Sequence, residues 1–180
     1  MISRRSLRSA SLLLCLLASS VQILSAQGTF AQSRIDIGLV VSDLERSVSF
    51  YQDVLGLQRA YSFDVPTDFA RKAGLTAGAP LHAVALRLTD DADAPVLKLV
   101  QTGQPTVSRP EFITDQSGVR YLTVNLTALE PVLERLKQHN IRVLGSGPVT
   151  MNDRQSLALV QDPDGVFLEL IGPMRASPAR

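Results

Sequence analysis

The chain has no tryptophan, a single cysteine, two histidines and an aromatic content of only 5% in 180 residues. Each scarcity removes a class of function. So few aromatics leave little material for an aromatic cage or a base-stacking platform. The formal net charge is +1 and the basic residues are scattered rather than gathered in a stripe, which argues against a nucleic-acid partner. No Ser/His/Asp arrangement, phosphate-binding glycine loop or nucleotide fingerprint is present. The one cysteine, Cys15, falls in an N-terminal segment laid out as an export signal, so the rest of the chain offers no disulfide, no thiol nucleophile and no thiolate metal site.

That segment, residues 1–31, begins with a positively charged stretch from Met1 to Arg8 and continues into the apolar run Ser11 to Ala18, followed by small and polar residues. The apolar run is too short to span a bilayer. Cleavage is expected after Ala26 or Ala31, and Thr29-Phe30-Ala31 has the better small-x-small pattern. Arg4 and Arg5 sit in a sequence similar to a twin-arginine signal. The reading is of an exported protein, periplasmic or extracellular, with no membrane attachment after cleavage. A lipoprotein anchor at Cys15 is disfavoured because the residue before such a cysteine should be small.

With 45% hydrophobic and 19% charged residues, the remainder suits one globular domain with a sizeable core. It says nearly the same thing twice. Arg34 to Leu57 reads as an apolar strand running into an amphipathic helix, and Arg120 to Val143 repeats that plan. Val96-Leu97-Lys98-Leu99-Val100 in the first half is answered by Phe167-Leu168-Glu169-Leu170-Ile171 in the second. The repeat is a strand, a helix and three further strands over about 60 to 70 residues. The expected class is α+β, with two tandem βαβββ modules at residues 34–101 and 119–173, a linker at 102–118 rich in Gly, Pro and Ser, and a tail fraying from Pro173, residues 174–180.

Local signals place the elements. Ser42 or Asp43 can cap a helix whose Leu44, Val48, Tyr51 and Leu55 share one face, and Gly56 ends it in a left-handed cap. Pro66 to Pro80 breaks the strand pattern with a short helical stretch and turn residues, a lid-like loop over any pocket. Asp90-Asp91-Ala92-Asp93 lacks the glycine and distal glutamate of a calcium loop and reads as a solvated hairpin turn. Leu129 to His139 forms the second helix, and Asp162-Pro163-Asp164-Gly165 turns the last hairpin.

The stretches LVVSDLERSVSFYQDVLGL and LVQDPDGVFLELIGP closely resemble the most repeated segments of the vicinal oxygen chelate superfamily, the glyoxalase, bleomycin-resistance and extradiol-dioxygenase group. The resemblance covers the whole chain after the export segment. It implies paired βαβββ modules forming a curved, cup-like mixed sheet, with a divalent metal at the base of the cup in many members. The family's metal ligands correspond here to Asp36, Lys98, Tyr121 and Glu169. Only Glu169 matches. Asp36 stands for the usual histidine of the first strand, Lys98 for a glutamate, and Tyr121 for the histidine that opens the second module.

Those substitutions change the chemistry. A divalent transition metal needs lone pairs from imidazole or carboxylate, whereas a protonated lysine has none and a phenol ionises only near pH of about 10. The expectation is that no metal cofactor is held, and that an ion-pair network occupies its place, Lys98 donating to Asp36 or Glu169 and the Tyr121 hydroxyl completing it. Strand parity groups Asp36 with Gly38, Lys98 with Val96 and Val100, and Tyr121 with Thr123 and Asn125.

Three roles follow. The cluster pins the modules together; or Lys98, Glu169 and Tyr121 act as acid, base or anion-binding groups on a small organic substrate; or the protein binds a hydrophobic or aromatic molecule without metal, with Asp36, Asn125, His82, Tyr61 and Phe63 lining the site. The enzyme alternative is a lyase or isomerase of the glyoxalase kind, or a dioxygenase-like enzyme. Arg87 and Arg120 are further carboxylate-binding candidates, while His139 suits a solvated helix end. Two modules can close a cup within one chain or swap into a homodimer with two cups, and the sequence leaves both open.

Overall fold

Runs of Val, Leu and Ile with period-two alternation become strands here, and the intervening period-3.6 segments become helices. The computed structural model describes residues 29–103 and 105–175; of the stretch expected to be an export signal, the residues through Gly28, Cys15 included, lie outside them. The first module contains β1 (Ile37–Val40), α1 (Leu44–Ser49) continued by a π turn (Phe50–Val54), β2 (Gln58–Val65), α2 (Thr67–Lys72), β3 (Leu81–Arg87) and β4 (Val96–Gln101). The second contains β5 (Tyr121–Asn125), α3 (Glu130–Gln138), β6 (Val149–Asn152), β7 (Gln155–Gln161) and β8 (Phe167–Gly172). Each forms a four-stranded sheet of the same order, β1-β4-β3-β2 and β5-β8-β7-β6. In each, the first strand pairs parallel with the last, and the other pairings are antiparallel. The sheets therefore carry out the same topology twice, as the duplicated sequence requires.

Asp43 caps α1, its carboxylate accepting the Arg46 amide at 3.0 Å. Gly56, at φ 87°, ends the helix in the left-handed region that a side chain would resist. Between them the helix departs from the regular spacing. The Leu55 amide bonds to the Phe50 carbonyl at 3.3 Å, one residue further back than an α-helix allows. The wider turn lets Phe50, Tyr51, Val54 and Leu55 all reach the interior, while Val48 is only half-buried. The Pro66–Pro80 segment forms the short α2 and is anchored by the fully buried Ala70, with Phe69 exposed.

The tail does not fray at Pro173 as its composition suggests. The carbonyls of Pro173 and Met174 accept the Leu129 and Glu130 amides at 2.7 and 2.9 Å, at the start of α3. Those amides have no partner within the helix, and no side chain caps them, so the chain end supplies what the helix lacks.

One core serves both modules. Val84, Leu86, Leu97 and Leu99 from the first sheet and Val124, Val160, Leu168 and Leu170 from the second meet Tyr51, Val54, Leu129, Val132 and Leu136 of the helices. Each such side chain contributes about 1.5–3 kcal/mol by leaving water. Polar contacts reinforce the joint: Arg135 donates to the Val54 carbonyl at 2.7 Å, and Ser42 donates its amide to Asp164 at 3.0 Å. Because the helix-side faces of both sheets are used in this shared core, their opposite faces turn outward.

Candidate functional site

Alternation along β4 sends Leu97 and Leu99 into the core and Lys98 and Val100 to the outer face, while Val96, which shares their parity at the start of the strand, is buried. Register then fixes their neighbours. Gly38, Lys98, Ala85 and Tyr61 form one row across the first sheet, and Val40, Val100, Ala83 and Phe63 form the next. A bulge between Arg59 and Tyr61 resets the alternation, so that Tyr61 and Phe63 share the face of Lys98. Their rings lie 6.1 Å apart and tilted, above the fully covered Ala83 and Ala85. Arg87 is on this face too, with its Nε buried and without a hydrogen-bond partner.

Asp36, just before β1, is gripped from three sides. Its Oδ1 accepts Arg34 Nε and the Val96 amide, both at 3.2 Å, and its Oδ2 lies 3.4 Å from Lys98 Nζ. Desolvation pushes the carboxyl upward, but the Val96 amide, Arg34 and Lys98 together outweigh it and hold the pKa below the ordinary 3.8. Asp36 is thus an ionised acceptor already supplied with donors.

On the second sheet, Tyr121, Thr123 and Asn125 pair with Phe167, Glu169 and Ile171 along β8 and face outward together. Thr123 Oγ1 donates to Glu169 Oε2 at 2.8 Å, and Tyr121 is 44% exposed. The expected four-residue network is therefore corrected: Lys98 joins Asp36, Glu169 joins Thr123, and Tyr121 enters neither pair. The reason is the shared core, which points the outer faces of the two sheets away from it. His82 also departs from expectation. It pairs in register with Gln101 and Asp64, on the face opposite Lys98, and its Nδ1 lies 2.7 Å from Asp64 Oδ1.

The cavity where the modules meet does not replace an outer-face site. It is apolar, about 180 Å³, and lined by Ile37, Tyr51, Leu97, Leu122, Val124 and Leu168 among others. Ligand sites for small molecules typically need about 300–1,000 Å³.

The residues at the family's ligand positions do not fit a metal. Lys98 has no lone pair while protonated, and its ammonium faces the Asp36 oxygen that a cation would need. Among the described residues, no group of three or more His, Cys, Asp and Glu side chains is placed to hold an ion.

Sequence reading passed over three participants. Arg34 shares strand parity with Asp36, a signal that was available. Thr123 lies on the face that its parity with Tyr121 implies, but no motif marks it as the donor to Glu169. The third is Tyr51, whose hydroxyl donates to Asp162 at 2.9 Å across 111 residues, a partnership that no local pattern announces.

The sequence model described as Glyoxalase/Bleomycin resistance protein/Dioxygenase superfamily matches residues 34–170. No curated protein sequence matches the chain. Among solved structures, a glyoxalase family protein from Bacillus cereus aligns over 83% of this chain and 100% of its own, with a TM-score of 0.66 and 17% identity. The trypanothione-dependent glyoxalase I of Leishmania major aligns over 76% of this chain and 84% of its own, with a TM-score of 0.54 and 20% identity. Glyoxalase I from Zea mays aligns over 78% of this chain at a TM-score of 0.54 and 21% identity, and the match spans only 43% of the maize chain. At these identities the likeness is one of fold.

Proposed function

The chain belongs to the Glyoxalase/Bleomycin resistance protein/Dioxygenase superfamily, and on that premise we propose that it is an exported binding protein for a small aromatic or apolar molecule carrying an acidic group, taken up without a metal. The observation that carries this reading is the Lys98–Asp36 pair at 3.4 Å. A cation and its counter-ion stand where metal ligands are expected, and a ligand carboxylate can compete with Asp36 for the ammonium. Arg87 supplies a second cation on the same face. Tyr61 and Phe63 supply ring surface beside it, 43% and 36% exposed. Export rests on the character of residues 1–31.

An outward sheet face is a floor without a roof. The reading therefore includes a homodimer in which the first sheet of one copy faces the second sheet of the other, so that Lys98 and Tyr61 oppose Glu169, Asn125 and Tyr121 of the second copy. Such pairing closes two equal cups and covers the apolar surface of Val40, Tyr61, Tyr121 and Val149, all more than 40% exposed in one chain.

The test is ligand-observed NMR with a panel of aromatic carboxylates and their neutral amides, on the wild type and Lys98→Met, with sedimentation equilibrium alongside. The reading expects carboxylates to bind better than amides, the preference to vanish in Lys98→Met, and a dimer in solution. Equal binding of acids and amides by the wild type contradicts it.

A further inference from the structure

A second site lies in the cleft where α1, the linker and the end of α3 converge on the Asp162–Gly165 turn. Its volume is about 530 Å³, within the range of small-molecule sites. The lining includes Arg46 from α1, Arg109 from the linker, and His139 and Arg142 from the segment that leaves α3. Arg46 and Arg109 each donate one terminal nitrogen to the same acceptor, the Pro163 carbonyl, at 3.0 and 2.6 Å. Two guanidinium groups are thus held side by side on one oxygen. Neither they nor Arg142 lies within ion-pair distance of a carboxylate among the described residues.

The carboxylates nearby are already committed. Asp162 also lines the cleft, but it is 3% exposed, and its oxygens accept the Asp164 and Val166 amides and the Tyr51 hydroxyl. Asp164 accepts from Ser42, and Asp53 from Ser49. Asp43 caps α1. The lining therefore carries three guanidinium groups against one carboxylate, which is buried and turned to its own donors, so positive charge is in excess and donor nitrogens are left over in planar forks.

We propose that this cleft binds a compact oxyanion of two or more charges, of the phosphate-monoester class, bridged by Arg46, Arg109 and Arg142. Guanidinium forks match tetrahedral oxyanions in both geometry and charge. Arg46 belongs to the first module, Arg142 to the second and Arg109 to the linker between them, so the bound anion ties the modules together across their joint. Binding then stabilises the folded chain in proportion to occupancy. The concave shape favours a free phosphate compound over a membrane headgroup.

The experiment is thermal unfolding and calorimetric titration of the protein with inorganic phosphate and with glycerol phosphate, chloride holding ionic strength constant. Anionic phospholipid vesicles form the comparison arm. The proposal expects saturable stabilisation by both soluble phosphates over chloride, and an affinity weakened about fivefold by Arg142→Gln, which removes one exposed charge partner. Arg142 donates no hydrogen bond to a described residue, so this variant keeps the fold. Arg154→Gln, in the β6–β7 turn outside the cleft, serves as the control and should bind as the wild type does. Stabilisation equal in phosphate and chloride, unchanged affinity in Arg142→Gln, or binding to vesicles alone overturns the proposal.

Discussion

The hydroxyl of Tyr51 donates to Asp162 Oδ2 at 2.9 Å, joining the π turn of the first module to the last hairpin of the second. Both residues are buried, at 1% and 3% exposure, and Asp162 also holds the Asp164 and Val166 amides. Removing the phenol oxygen leaves a buried carboxylate one donor short. Tyr51→Phe should therefore cost about 1–3 kcal/mol of stability despite conserving the ring, measured by urea unfolding. A change within a few tenths would show that solvent reaches Asp162 easily.

The same pair predicts a pH dependence. The Tyr51 phenol is held well above its ordinary 10.0, first by burial and then by the Asp162 and Asp164 carboxylates. A group whose pKa is higher folded than unfolded favours the fold below its unfolded value and loses that contribution as pH rises. Stability of the wild type should accordingly fall as pH climbs past 10.0, and fall less steeply in Tyr51→Phe. Parallel alkaline limbs in the two proteins would remove Tyr51 from the explanation.

Asp36 carries the opposite sign. Its carboxyl is depressed below 3.8, so its contribution is present above that value and lost as pH falls through the folded one. Lys98→Met removes one of the groups that depress it. Carbon-detected NMR of the Asp36 carboxyl should then record an upward move toward the ordinary range, with Arg34 and the Val96 amide retaining part of the shift. No movement would mean that Lys98 spends its time in solvent rather than against Asp36.

Gly165→Ala tests the turn that presents Asp162. At φ 91°, with an added Cβ only 2.6 Å from the Ser108 carbonyl oxygen, the residue has neither the backbone freedom nor the room for a side chain. A loss of at least about 2 kcal/mol is expected. A neutral effect in urea unfolding would show that the linker at Ser108 moves aside freely.

How much of this was legible follows from the range of each interaction. The paired strand–helix units, the cap at Asp43 and the glycine at 56 are local, and short-range pattern announces them. The π turn is not, because it answers to a distant partner: Tyr51 is drawn inward toward Asp162. Register was equally hidden. Whether His82 or Ala83 shares the face of Lys98 depends on how β3 aligns with β4, and whether Tyr61 does depends on a bulge. Sequence parity grouped Lys98 with its own strand and Thr123 with Asn125, but it carried no information about which way the two sheets face. That direction is set by the shared core, and it separates Glu169 from the network expected of it. Pro173 and Met174 misled for a related reason: the composition of a tail does not reveal the unpaired helix amides waiting for it.

On the reading proposed above, the Lys98–Asp36 pair stands in the place of a metal centre. The decisive measurement is elemental analysis of the purified protein after incubation with nickel, zinc, manganese and iron(II), followed by desalting. Metal far below one equivalent per chain is expected for all four. Near-stoichiometric retention of any one, reduced by Asp36→Asn or Glu169→Gln, would contradict it and return these residues to the role of ligands.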